Sequence, residues 1–457
     1  MRKRNGMKKI NFTVSFIILL ASTAIQTRAQ VPVKGNDTTV PLHALPPDYK
    51  IPYGTTKPED IKKVLDRVFT YLDANTPASI VNSKTNAVIQ DFKKPDKDAI
   101  LKPGDFRLTS YEWGVTYGAM LLTGEVTGDK RYTDYTLNRF KFLSEITPYF
   151  QAFEKAYPET RNPLRQIVEP HALDDVGAMC AAMIKAERAG VKGSYRSLID
   201  NYMNYIITKE YRLSDGTMAR NRPLPNTLWL DDMYMSVPAI AQMGKLTGDV
   251  KYYDEAVKQI KQFSDRMFNK EKGLYMHGWV ESMNVHPQFH WARANGWALL
   301  TKVEVLEVLP ENHPGRKMIL ELLQSQIQGL ASRQSGEGFW HQLLDREDSY
   351  LETSATAIYS YCIAHAINRG WINREAHAPM ALLAWNAVSI KVNDKGQVEG
   401  TCVGTGMAFD PAFYYYRPIN VYAAHGYGPV IMAGAAMYKL LKEHPSEIND
   451  SAVMFPK

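Results

Sequence analysis

From residue 58 onward, apolar side chains return at intervals of three and four. Ile61, Val64, Leu65, Val68, Phe69 and Leu72 make the first such stripe, with Pro58 suited to the opening turn of a helix. The same periodicity predicts helices near 111–124, 130–148, 171–189, 194–208, 233–246, 251–269, 290–308, 317–332, 351–369, 374–389 and 425–443. Only Ala387–Cys402 carries a contrary signal. Val388, Ile390 and Val392 alternate there before Asn393-Asp394-Lys395-Gly396, which predicts a strand and a turn. Ahead of the first helix, residues 30–57 are rich in proline and polar residues and read as an extended leader.

Two of the expected connections share a pattern. Thr127-Gly128-Asp129 precedes Tyr132, and Thr247-Gly248-Asp249 precedes Tyr252. Glycine can end one helix in the left-handed conformation and aspartate can cap the next, so each unit reads as an αα-hairpin. Repeated hairpins build either an open solenoid or a closed toroid. Aromatic residues gather in the connections, at Tyr111, Trp113, Trp229, Tyr234, Trp291 and Trp297. That favours closure, which collects such connections at one mouth. The expected architecture is all-α, a six-hairpin toroid over residues 58–457, with no internal linker to divide it.

The first 29 residues change the picture of where the chain works. Arg2, Lys3, Arg4, Lys8 and Lys9 precede a short apolar run from Phe12 to Ile25. Thr27 and Ala29 then offer the small residues of a signal-peptidase site. The run is too short and too polar to span a membrane, so export with cleavage near Ala29 is expected, to the periplasm or beyond. The formal net charge of +6 is carried by Arg2, Lys3, Arg4, Lys8, Lys9 and Arg28, leaving a neutral mature chain with no long-range pull on nucleic acid. With 3 cysteines, at most one disulfide can form and stability must come from a large core. No obligate protein partner is evident.

Candidate chemistry concentrates at expected helix starts. In His171-Ala172-Leu173-Asp174-Asp175 the two acids fall off the apolar stripe. In Leu228-Trp229-Leu230-Asp231-Asp232-Met233-Tyr234-Met235 two acids sit in an apolar jacket, with Pro238 either kinking a helix or starting a new one. A carboxyl in such a jacket resists ionisation and is suited to donate a proton; capping a helix is the plain alternative. Arg293, between Trp291 and Trp297, suits a substrate carboxylate, its fork pairing two oxygens while indole faces stack on a pyranose. A structural, bridging arginine is the competing reading. Glu352 reads as a cap, a sugar ligand or a distant second acid. Pro287 between His286 and His290 spoils a zinc pair, and Gly404-Thr405-Gly406 lacks the Lys-Ser or Lys-Thr of a phosphate loop.

The run Trp229-Leu230-Asp231-Asp232-Met233-Tyr234-Met235-Ser236-Val237-Pro238 resembles the signature of glycoside hydrolase family 105, the unsaturated rhamnogalacturonyl hydrolases, relatives of the unsaturated glucuronyl hydrolases of family 88. Leu173-Asp174-Asp175, His277, Trp291-Ala292-Arg293, Gly296-Trp297, Gly338 to Gln342, Tyr350 to Ser354 and Gly426 to Pro429 add matches in family order, across about residues 58 to 445.

The resemblance implies an (α/α)6 barrel. It also implies removal of a 4,5-unsaturated uronyl residue from the non-reducing end of lyase-generated oligosaccharides, with no metal or organic cofactor. It casts Asp231 as general acid/base, Asp174 as second pocket aspartate, His277, Arg293 and Trp297 as substrate contacts, and Tyr111 as pocket wall. Trp229, Trp291, Arg220 and His425 complete the expected substrate-binding residues, and Asp175, Asp232 and Glu352 are supporting or alternative acids. Two departures stand out: Ala219-Arg220-Asn221-Arg222 replaces a His-Lys pair that many members carry, and Asp232 replaces a common glycine. They leave open which uronic acid and which neighbouring sugar are taken. A conventional inverting glycosidase, or a carbohydrate-binding toroid without catalysis, are the alternatives.

Overall fold

In the computed structural model, residues 38–41, 52–190, 195–449 and 452–456 are described. The expected signal peptide lies outside them, as does most of the expected leader. Residues 51–457 form one compact unit, and twelve long helices build it: α1 Pro58–Asn75, α2 Tyr111–Thr127, α3 Lys130–Ala156, α4 Leu173–Arg188, α5 Arg196–Asn204, α6 Val237–Thr247, α7 Val250–Met267, α8 Ala292–Leu306, α9 Arg316–Ala331, α10 Thr353–Asn368, α11 Arg374–Ser389 and α12 Tyr427–Glu443.

The even-numbered helices form an inner ring. Each packs on the next, α2 on α4, α4 on α6, α6 on α8, α8 on α10, α10 on α12, and α12 returns to α2. The odd-numbered helices lie outside, each beside an inner partner, and α1 packs on α12 to complete the sixth pair. This is the expected (α/α)6 toroid. The sequence pattern differs between layers for a physical reason. Outer helix α7 buries Tyr253, Ala256, Ile260, Phe263 and Met267 on one face, the stripe of a half-solvated helix. Inner helix α8 buries every residue from Ala292 to Leu306, because it has neighbours on all sides.

Gly128 and Gly248 end α2 and α6 at φ 74°, donating N–H groups back to Gly124 and Gly244. Asp129 and Asp249 then cap α3 and α7 through the N–H groups of Arg131 and Lys251. Pro238 begins α6 anew after a separate short turn at Asp231–Tyr234. One expectation fails. Ala387–Ser389 belongs to α11, with Val388 buried by helical packing, and only a single bridge between Val392 and Val398 remains of the expected strand pair. Short antiparallel strand pairs were not foreseen, among them Thr227–Trp229 with Gly278–Val280; three-residue strands are too brief for alternation to register. No helix among the described residues is long and apolar enough to cross a membrane. Cys180, Cys362 and Cys402 are all free and buried.

Candidate active site

The N-terminal ends of the inner helices bring the predicted residues together. Tyr111 opens α2, Asp174 lies in the first turn of α4, and the Asp231–Tyr234 turn precedes α6. Trp291 and Arg293 start α8, Glu352 caps α10, and His425 precedes α12. Helix N-termini present unpaired N–H groups and a positive dipole end, so this mouth favours anionic ligands.

Gly177 lets two of these acids approach. A Cβ there would stand 1.8 Å from the Met235 carbonyl oxygen, so only glycine allows the segment after the Asp231 turn to seat on α4. Across that contact, Arg220 bridges both strands of the site. Its Nε donates to Asp232 Oδ2 at 2.7 Å and its Nη2 to Asp232 Oδ1, while Nη1 and Nη2 reach Asp174 at 3.2 and 3.1 Å. Asp232 is wholly buried, and the side chain of Asp174 is 34% exposed. Burial opposes the charge of Arg220, but the carboxylates of Asp232 and Asp174 more than offset it and hold the guanidinium above its ordinary pKa. Asp174 therefore sits at the mouth with one side tied to a fixed cation. Asp175 is buried and caps its own turn, accepting from the N–H of His171 at 3.2 Å and from Gln166 Nε2 at 2.9 Å.

Asp231 is placed differently. Its side chain is 15% exposed and its Oδ2 lies 2.9 Å from His277 Nε2. The other imidazole nitrogen, Nδ1, lies 2.7 Å from the hydroxyl of Tyr414, which accepts from the Ala408 N–H at 3.1 Å. With both ring nitrogens engaged, His277 is held in one orientation and can pass hydrogen-bond polarity between Tyr414 and Asp231. Tyr414 is a residue the sequence reasoning missed. It lies in Tyr414-Tyr415-Tyr416, where nothing in the local pattern marks one tyrosine for the site.

The aromatic residues divide. Trp229 is half-buried at the mouth, with the guanidinium groups of Arg220 and Arg222 each 4.6 Å from its ring. Trp291 is buried, its ring 4.7 Å from that of His277. Trp297, expected on substrate, instead stacks on Tyr234 in the core at 4.9 Å and leaves 1% of its surface to solvent. Arg293 also departs from its expected part. Its Nη1 donates to the Cys402 carbonyl and Nη2 to the Val403 carbonyl, each at 2.7 Å, and the residue is buried. A guanidinium spent on main-chain oxygens is a clamp on the 402–407 segment, which explains its burial better than a free fork would. Glu352 is a cap: fully buried, it accepts from the N–H groups of Ser354, Ala355 and Cys402.

That clamped segment closes one side of the mouth. A Cβ on Gly406 would lie 3.3 Å from the Trp229 ring, and Met407 packs against Gly278. On its other side opens a cavity of about 920 Å³, lined in part by Val403, Gly404, Glu112 and His425. Asp231 and Asp174 are not in its wall. Tyr111 stands between, hydrogen-bonded to His425 Nε2, and it feels the charges of both aspartates. Burial, reinforced by Arg293 and Arg107, holds His425 well below its ordinary pKa, so it is neutral at physiological pH.

The fold is a six-hairpin toroid with Asp174 and Asp231 at its mouth, and comparison with known proteins places it among the glycoside hydrolases. The family model described as Glycosyl Hydrolase Family 88 matches residues 78–441, and the chain belongs to that family. It is 27% identical over 264 residues to an unsaturated 3S-rhamnoglycuronyl hydrolase of Alteromonas sp. (strain LOR), covering 54% of this chain and 63% of that one. It is 30% identical over 159 residues to the unsaturated rhamnogalacturonyl hydrolase YesR of Bacillus subtilis (strain 168), covering 34% and 46%. The matched stretches thus span less than two thirds of these relatives. A solved structure from Klebsiella pneumoniae, described as a possible member of the GH105 family, shares the fold with a TM-score of 0.65 at 23% identity, over 86% of this chain and 97% of that one.

Proposed function

We propose that the protein is a hydrolase that removes a 4,5-unsaturated uronyl residue from the non-reducing end of oligosaccharides released by polysaccharide lyases. The observation that carries this reading is the Asp231–His277 pair, 2.9 Å apart at the mouth of the toroid. It supplies one solvent-reachable acid whose orientation is fixed from behind. The family membership and the curated relatives named above support the same substrate class.

The chemistry follows from the vinyl ether of the unsaturated ring. Asp231 donates a proton to C4, and positive charge develops at C5 next to the ring oxygen. Water adds at C5, giving up its proton to the carboxylate just formed, so the acid is regenerated. The resulting hemiketal opens and releases the neighbouring sugar. Asp174, held by Arg220, lies across the same mouth and stabilises the developing positive charge. The reaction class predicts loss of the conjugated uronyl absorbance as the double bond is consumed. An assay with lyase-generated oligosaccharides that releases the second sugar without that loss would point instead to conventional hydrolysis at C1. Export belongs to the same reading, and mass spectrometry of the native protein should find a chain starting near Gln30.

A further inference from the structure

Between α10 and α12 the chain makes an excursion whose two ends meet. Val403 donates its N–H to the Pro418 carbonyl at 3.0 Å, Asn420 donates to Thr401 at 3.0 Å, and Cys402 and Ile419 bridge between them. This base is fixed to the barrel. The Cys402 N–H bonds Glu352, and Arg293 takes the carbonyls of Cys402 and Val403. With its ends joined, the strap between them, residues 404–417, can swing without stretching the chain.

The strap is bonded chiefly to itself. Asp410 accepts from the Phe413 N–H at 2.9 Å, and Tyr416 donates to the Ala412 carbonyl at 3.0 Å. Arg417 donates to the Thr405 hydroxyl at 3.2 Å and to the Gly404 carbonyl. Of residues 403–422, only Tyr414 is buried. Among the described residues, every hydrogen bond from 406–417 to the barrel runs through Tyr414 or its neighbour Tyr415. The Tyr414 hydroxyl meets His277 Nδ1 at 2.7 Å, and its carbonyl accepts from Gln342 Nε2 at 3.3 Å. Tyr415 donates to the exposed Asp348 at 2.7 Å. Packing adds Met407 against Gly278. A segment with so few buried contacts lies at the low end of local stability. Its one buried anchor is the side chain that orients His277 behind Asp231.

We propose that residues 404–417 are a lid. It swings on its fixed base to admit and release the sugar, and its return seats Tyr414 on His277. The acid is therefore fully assembled only when the mouth is covered. This rests on the proposed role of Asp231 and adds a conformational step to it. Lids of this kind complete a catalytic constellation as they close, and covering the mouth shields the charge that develops at C5 from bulk water.

Hydrogen exchange reads the swing in the protein alone. The amides of Ala408, Phe413 and Tyr416 should exchange as a group, at least about tenfold faster than those of Val403 and Asn420 at the base. Tyr415→Phe cuts one tie and leaves Tyr414 in place. It should speed the strap amides about two- to tenfold, the worth of one hydrogen bond, with the base and the thermal midpoint unmoved. In Asp231→Asn protein, a lyase-generated unsaturated disaccharide should slow the same amides at least about tenfold, as closure is favoured. Turnover gives a second reading. When Tyr415→Cys and Asp348→Cys are combined and joined by a short bis-maleimide, the lid cannot swing. Turnover of that disaccharide should then fall at least about tenfold below the same variant capped with N-ethylmaleimide; Cys180, Cys362 and Cys402 are buried away from both reagents. Strap amides as slow as the base would overturn the lid. So would strap amides left unprotected by a disaccharide that the wild-type enzyme consumes, or a bridged protein as fast as the capped one. If the free protein and Tyr415→Phe exchange as expected while no uronyl substrate is consumed, the lid stands and the proposed reaction fails.

Discussion

His277 stands 2.9 Å behind the carboxylate of Asp231, while the adjacent carboxylate of Asp232 is turned inward to Arg220 and has no exposed surface. Neighbours in sequence thus have separate work, and their substitutions should fail in different ways. Asp231→Asn should lower kcat by at least about 10³, the upper range of general acid catalysis, with little change in thermal midpoint. Asp232→Asn leaves the buried guanidinium with the partly exposed Asp174 as its one charged partner, so the loss is part of the about 3–5 kcal/mol for breaking a buried pair outright. Its midpoint should drop clearly, and any activity loss should follow the fraction unfolded. The check is a melting curve beside the absorbance assay for each variant.

Tyr414 is a positioning residue, since it reaches the acid only through His277. Tyr414→Phe removes the hydroxyl that meets Nδ1 and the acceptor for the Ala408 N–H. kcat should fall about tenfold with KM little changed, in keeping with one neutral hydrogen bond that orients the imidazole behind Asp231. A lower midpoint with kcat unmoved would mark the tyrosine as structural only.

Arg293→Ala should be a stability variant. It strips the buried Cys402 carbonyl of its Arg293 donor and leaves the Val403 carbonyl to the Thr405 hydroxyl alone among strong donors, and an unsatisfied buried group costs about 1–3 kcal/mol. Proteolysis should first cut within 402–407, the segment that loses its anchor. A variant as stable as the parent but dead toward uronyl substrates would return Arg293 to direct substrate binding.

Glu210 gives a pH signature. Burial, with help from the charge of Asp232, pushes its carboxyl up to about 7. The folded protein therefore keeps a proton that the unfolded chain releases near its ordinary 4.5. The stability this adds is complete below that value and is lost as the pH rises toward and through 7. Glu210→Gln carries no such dependence. Melting midpoints of parent and variant should converge near pH 4.5, with the parent falling behind by pH 8; parallel curves across that range would refute the assignment.

Helical periodicity exposed the outer layer because its helices must alternate water and core; the inner ring, buried on every face, carries only a faint stripe. The Thr-Gly-Asp turns were readable for a local reason: left-handed glycine and aspartate caps act within four residues. The site was legible only as a set of residue types. Asp231 and His277 meet through a two-stranded pairing of Trp229 with Gly278, which no local pattern announces. Arg293 misled because an arginine flanked by tryptophans looks identical whether its fork meets a substrate or the carbonyls of Cys402 and Val403. Tyr414 stayed hidden because its role depends on contact with His277, 137 residues away.

The pairing of α1 with α12 has a consequence for the order of synthesis. On a ribosome the helix near the amino end emerges early, with Ile61, Leu65, Val68 and Leu72 facing a partner not yet made. Gly434 of α12, whose missing side chain leaves room for Leu65 and Trp385, arrives with the last of the twelve helices. Every other outer helix can dock on an inner neighbour that comes just before it. The seam alone requires contact across nearly the whole barrel, the kind of long-range closure that slows folding. A nascent chain stopped short of His425 lacks both the last stave and the residue beside Tyr111, so competence should appear all at once, at the seam, and not grow with each added hairpin.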